Sequence, residues 1–68
     1  VTVKIIVNGE TREVESGLTA DALLDFLSLP KKRIAVELNS EVLRRSLWRS
    51  TEISAGDRLE VVHFVGGG

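Results

Sequence analysis

The sequence predicts an α+β domain in which one helix covers one face of a mixed sheet of four to five strands. Three observations carry that prediction. A β-branched run at the start of the chain leads straight into Asn8-Gly9, one stretch alone has helical periodicity, and further apolar runs follow it.

Val1 to Val7 is rich in β-branched residues and partly alternating, the pattern of a mostly buried strand. Asn8-Gly9 supplies the positive φ angles of a type I′ turn, so Glu10 to Glu15 should return as an antiparallel, more polar strand. Ser16-Gly17 breaks that strand. Thr19 then suits a helix N-cap, with Asp21 in the first turn where a negative charge meets the helix dipole favourably. Ala20, Leu23, Leu24 and Leu27 fall at i, i+3, i+4 and i+7 and form one apolar face. Pro30 is expected to end the helix.

Lys31-Lys32-Arg33 reads as a solvated loop near the helix C-terminus and is assigned no function. Ile34 to Leu38 is the next apolar run, Asn39-Ser40 a polar turn, and Val42-Leu43 suits a short strand. Trp48 is expected to plug one end of the core. Ala55-Gly56-Asp57 forms a turn before a last strand, Arg58 to Val65, with Leu59 and Val61 on one face and Val62 and Phe64 on the other. The expected organisation is one globular domain over residues 1–65 and a flexible glycine tail over residues 66–68. Periodicity alone leaves the order of the strands open.

With 68 residues there is room for one core. Nine basic residues against ten acidic ones give a net charge of -1, which argues against nucleic acid as a partner because phosphate neutralisation needs a positive excess. No apolar run suits a membrane span and no signal-peptide pattern is present, so a cytoplasmic protein is the expectation. The chain has neither Cys nor Met and therefore contains no sulfur. That rules out disulfide staples, thiolate metal sites and a cysteine nucleophile.

Catalytic constellations are equally sparse. His63 is the single histidine, so no histidine metal cluster can form, and the expectation is no metal. Glu10, Glu13 and Glu15 lie on a solvated hairpin, while Asp21 and Asp25 sit four apart on a helix surface; neither set reads as a general acid and base pair. The glycine run ends the sequence rather than opening a helix, so it is not a phosphate loop. An independent enzyme is not expected.

The unusual feature is the C-terminus, where Gly66, Gly67 and Gly68 follow the last strand directly. Lacking Cβ, they can thread a channel too narrow for side chains. Three extended residues reach on the order of 10 Å. An α-carboxyl group titrates at about 3.5 and is ionised near neutrality, ready to attack the α-phosphate of a nucleotide held by another protein. A frayed end or a linker has the same composition, and the residues alone leave both readings open.

Several segments together resemble one family. They are Asn8-Gly9-Glu10, Leu18-Thr19 ahead of Leu23-Leu24, Ala35-Val36-Glu37-Leu38-Asn39, Arg45-Ser46 with Trp48, Gly56-Asp57-Arg58, and Val62-His63-Phe64-Val65-Gly66-Gly67-Gly68. In order and spacing the chain resembles the ThiS family of thiamine-biosynthesis sulfur carriers. Two positions depart from the family pattern: Ser40 stands where a glycine is frequent, and Leu47 where a polar residue is more usual.

The resemblance implies a ubiquitin-like β-grasp fold and a carrier role without catalysis of its own. An E1-like adenylating enzyme would activate Gly68 with ATP, and sulfur from a cysteine desulfurase route would convert it to a thiocarboxylate. Thiazole synthase would then take up that sulfur. Gly66 and Gly67 would thread each partner's active site. Independently of the resemblance, alternation along the last strand points Val62 and Phe64 outward just before the glycines, and this apolar pair is expected to dock on the same partners. No cofactor would be bound; ATP and the sulfur donor are used by the activating partner. Three rival readings stay open at this point: the sulfur-carrier subunit of molybdopterin synthase, a non-reacting β-grasp interaction module, and a ubiquitin-like modifier of lysines.

Overall fold

The computed structural model describes residues 1–64. Its elements are strand β1 (Thr2–Val7), strand β2 (Glu10–Glu15), helix α1 (Ala20–Phe26), strands β3 (Ile34–Leu38) and β4 (Glu41–Val42), a 3-10 turn at Arg45–Leu47, and strand β5 (Arg58–His63). The sheet order is β2-β1-β5-β3-β4. β1 and β5 run parallel, and the β1–β2, β3–β5 and β3–β4 pairs are antiparallel. A five-stranded mixed sheet with a single α-helix on one face is the ubiquitin-like β-grasp arrangement. The last strand in sequence therefore occupies the middle of the sheet.

Both hairpin turns follow from residues that tolerate positive φ. Asn8 (φ 48°) and Gly9 (φ 82°) join Val7 to its register partner Glu10. Asn39 (φ 52°) and Ser40 (φ 71°) repeat this between Leu38 and Glu41, with a serine where glycine would be relaxed.

Thr19 caps α1, its Oγ1 accepting a hydrogen bond from the Ala22 N–H at 3.2 Å. The helix then stops earlier than Pro30 leads one to expect. Leu27 is the C-cap, Ser28 takes φ 59°, and the Ser28 and Leu29 N–H groups donate back to the Asp25 and Leu24 carbonyls. These two bonds form a Schellman motif, with serine in the left-handed position that glycine commonly fills.

Ile5, Val7 and Val14 from the hairpin, Leu23 and Leu24 from the helix, and Val36 and Leu59 from the other strands join one buried core. Trp48 is 3% exposed and plugs it as the sequence predicts, its Nε1–H donating to the Leu43 carbonyl at 3.0 Å. Ile53, which the periodicity does not single out, is also buried. The segment around it completes the helix start: the Ala20 and Asp21 N–H groups donate to the carbonyls of Thr51 and Trp48, and Ile53 N–H donates to Leu18.

Two expected extents differ. Leu43 lies outside β4, which pairs only Glu37 with Val42 and Leu38 with Glu41; its N–H still donates to the Val36 carbonyl, while its own carbonyl accepts from the Trp48 indole. β5 ends at His63, so Phe64 lies beyond the strand. Val65 and the tail residues Gly66, Gly67 and Gly68 fall outside the described residues, as does the expected boundary between domain and tail.

Candidate functional site around the last anchored residue

β5 leads toward the C-terminus from the centre of the sheet, held on both sides. β3 supplies five antiparallel pairs, from Leu38↔Leu59 to Ile34↔His63. β1 supplies two parallel pairs, Ile6↔Arg58 and Val7↔Leu59. The Asn8 side chain then extends that shorter ladder by bonding both backbone groups of Val61. The last anchor among the described residues is the Phe64 N–H, which donates to the Arg33 carbonyl at 2.9 Å. Whatever follows Phe64 starts from a fixed position against the 31–33 loop.

Alternation along β5 sorts its side chains. Leu59 is 1% exposed and Val61 is half-buried against the core, whereas Val62 is 57% and Phe64 50% exposed. Val62 sits directly opposite Ala35, and Glu60 opposite Glu37 on the same outer face. Val42, opposite Glu37 on β4, is exposed as well. The outer surface of β5, β3 and β4 is thus apolar at Ala35, Val42 and Val62, interrupted by the two facing carboxylates of Glu37 and Glu60. Exposed apolar side chains gathered on one face are a typical protein contact surface.

The groups screened for catalysis remain apart. Glu10, Glu13, Glu15 and His63 are exposed, with no buried acid or base beside them. Among the described residues no group of three or more His, Asp or Glu side chains is placed to hold a metal ion. No helix among them is long and apolar enough to cross a membrane.

Lys31, assigned no function from sequence, ties the 31–33 loop to α1. Its Nζ lies 3.2 Å from Asp21 Oδ1 and 2.9 Å from Asp25 Oδ1. Hydrogen bonds to Asp25 and Asp21 raise its pKa above 10.5. The signal was present in the sequence as two acids four residues apart on one helix face, followed beyond the helix end by a lysine at position 31. On the other side, Arg45 Nη1 donates to the Lys31 carbonyl while its guanidinium lies over the Trp48 ring, 4.4 Å from the centroid.

The comparisons with known proteins converge. The model of the ThiS family matches residues 5–68. A thiazole synthase of Paramagnetospirillum magneticum is 38% identical over 65 residues, 96% of this chain but 20% of that protein. The chain thus spans about a fifth of the length of such relatives; the thiazole synthase of Magnetococcus marinus is likewise covered over 20%. The sulfur carrier protein ThiS of Bacillus subtilis is 35% identical over 54 residues, 79% of this chain and 80% of that one. The crystal structure of the thiamine biosynthesis protein ThiS from Geobacter metallireducens superposes with a TM-score of 0.85 at 35% identity, covering 97% of this chain and 100% of that chain. A match of this extent, reaching from the first strand through the terminal glycines, places the chain in the ThiS family.

Proposed function

We propose that the chain is a sulfur carrier of thiamine biosynthesis, acting in the cytoplasm as a co-substrate of other enzymes. The observation that carries this reading is the family match extending through residue 68, with the glycine tail included. The relative from Bacillus subtilis is a sulfur carrier protein by name. The structure of residues 1–64 supports a carrier in one further way: the strand that leads to the tail is the central one, so the tail has a rigid base.

The chemistry proposed for Gly68 needs three steps. Its carboxylate oxygen attacks the α-phosphorus of ATP bound to an E1-like enzyme, and pyrophosphate leaves with the electrons of the broken bridging P–O bond. In the second step a persulfide loaded by a cysteine desulfurase route attacks the acyl carbon and expels AMP. A thiol then cleaves the S–S bond of the resulting acyl disulfide, forming a new disulfide and releasing the thiocarboxylate. Thiazole synthase takes the sulfur in the last step. Gly66 and Gly67 are proposed to pass through the channel of each partner, where a Cβ would clash.

Val62 and Phe64 are proposed to dock on these partners. Their exposure immediately before the tail supports that assignment. Thiazole synthase as a partner is supported by the two long relatives that bear this name and include a stretch similar to this chain. Joining a carrier and its acceptor in one polypeptide raises their effective concentration, an arrangement that suits two domains meeting in turnover.

The test is ATP–pyrophosphate exchange catalysed by the activating enzyme with the full chain and with a chain lacking Gly68. The carrier reading expects exchange with the first and none with the second. Equal exchange would remove Gly68 from the reaction, and exchange with neither chain would leave a non-reacting interaction module as the better description. Co-purification with thiazole synthase rather than with the large subunit of molybdopterin synthase separates the two carrier pathways.

A further inference from the structure

The chain is close to neutral, yet its cations are gathered. Lys31, Lys32, Arg33, Arg44, Arg45 and Arg49 are six of its nine basic residues, and the same stretch holds only the acids Glu37 and Glu41. A cavity of about 470 Å³ opens in this region, lined by Asp21, Lys31, Arg45, Ser46, Trp48 and Arg49.

The charges within it are unequally satisfied. Lys31 is matched by Asp21 and Asp25. Arg45 is fixed by the Trp48 ring beneath it and by one bond to the Lys31 carbonyl, which leaves its positive charge without a carboxylate among the described residues. Arg49 makes neither an ion pair nor a side-chain hydrogen bond there. The cavity therefore carries two guanidinium charges in excess, one of them already ordered by stacking. Pre-ordering lowers the entropy lost when a guanidinium engages an oxyanion, and the planar fork matches a carboxylate.

We propose that this cavity receives a carboxylate side chain from an acidic segment of a partner protein. Its position supports a protein partner: the Lys31 carbonyl that holds Arg45 is two residues from the Arg33 carbonyl that holds Phe64. An acidic segment seated there lies beside the loop that anchors Phe64. A nucleotide suits the cavity poorly, because Trp48 is 3% exposed and Arg45 already covers its ring, so no aromatic face is free for a base. That the partner is one that processes the tail rests on the carrier reading; the existence of the carboxylate site does not.

The experiment uses the full chain and no partner enzyme. A blocked tetraglutamate peptide is titrated against it at low salt while the amide, arginine side-chain and indole N–H resonances are followed, with Trp48 as the single indole reporter. The expected result is saturable shifts at Arg45, Arg49 and the Trp48 indole, absent with blocked tetraglutamine. Arg49→Gln, at an exposed position free of described bonds, should weaken binding by about tenfold without altering the amide spectrum elsewhere.

Shifts spread equally over Lys4, Arg12 and Arg58, or binding that Arg49→Gln leaves unchanged, would overturn the proposal. Inorganic phosphate saturating the same resonances at equal or lower concentration would overturn the assignment to a protein carboxylate. Because none of these readouts involves Gly68, they can fail while ATP–pyrophosphate exchange succeeds, and the reverse.

Discussion

Asn8 grips Val61 from both sides of its peptide unit: the Asn8 Oδ1 accepts from the Val61 N–H at 2.7 Å, and the Asn8 Nδ2 donates to the Val61 carbonyl at 3.2 Å. The residues are 53 apart in sequence, so one turn side chain fastens the first hairpin to the strand that leads to the tail. It also prolongs a parallel ladder with only two registered pairs. Asn8 therefore serves twice, once through its positive φ and once through its amide.

The two roles separate by substitution. Asn8→Gly keeps the turn and loses the clamp, and should cost about 1–2 kcal/mol. Asn8→Ala should cost roughly 1 kcal/mol more, since alanine strains the left-handed backbone. Urea denaturation reads the difference, and the Val61 amide should exchange faster with solvent in both variants.

Sequence patterning reveals the first half of this relationship and hides the second. Asn8-Gly9 between two strand-like runs is a local signal, and the turn forms where it points. The clamp on Val61 depends on β5 lying beside β1, a long-range pairing that periodicity does not encode. The same division recurs at Trp48, whose burial was legible although its Arg45 and Leu43 partners were not. Ile53 was hidden because a lone apolar residue in a polar stretch has no period. Val62 could be assigned to the outer face because side chains alternate along a strand, whereas the Lys31 bridge needed the loop to fold back on α1.

Ser28 and Ser40 hold φ of 59° and 71°, conformations in which a Cβ is strained. Glycine relieves that strain but adds freedom to the unfolded chain, leaving a net gain of about 0.5–1 kcal/mol for each of Ser28→Gly and Ser40→Gly. The urea midpoint should rise in each variant, and the effects should add because one serine caps α1 and the other turns the β3–β4 hairpin.

Lys31 has a folded-state pKa raised by hydrogen bonds to Asp25 and Asp21. The sign follows from linkage: its contribution is fully present below the unfolded value of 10.5 and is lost as pH rises through the higher folded value. Solvent screening at this accessible side chain keeps the effect small. Thermal midpoints should therefore decline at alkaline pH, and Lys31→Gln should flatten the part of that decline due to this pair while lowering the midpoint at neutral pH.

Phe64 is half exposed and lies beyond the last strand, so Phe64→Asp should leave the thermal midpoint nearly unchanged. If it docks on the activating enzyme, kcat/KM for adenylation should fall by about tenfold, the loss expected of an aromatic anchor in a protein contact. Unaltered kinetics would remove Phe64 from that contact.

The absence of sulfur from the polypeptide makes the central claim directly measurable. With no Cys or Met, oxidation of a side-chain sulfur cannot imitate the exchange of one oxygen for one sulfur. Intact-mass analysis after incubation with the activating enzyme, ATP and a sulfur source, followed by mapping of the C-terminal peptide, should show that exchange at Gly68 and nowhere else. A C-terminal peptide that keeps its carboxylate under those conditions would contradict the carrier account.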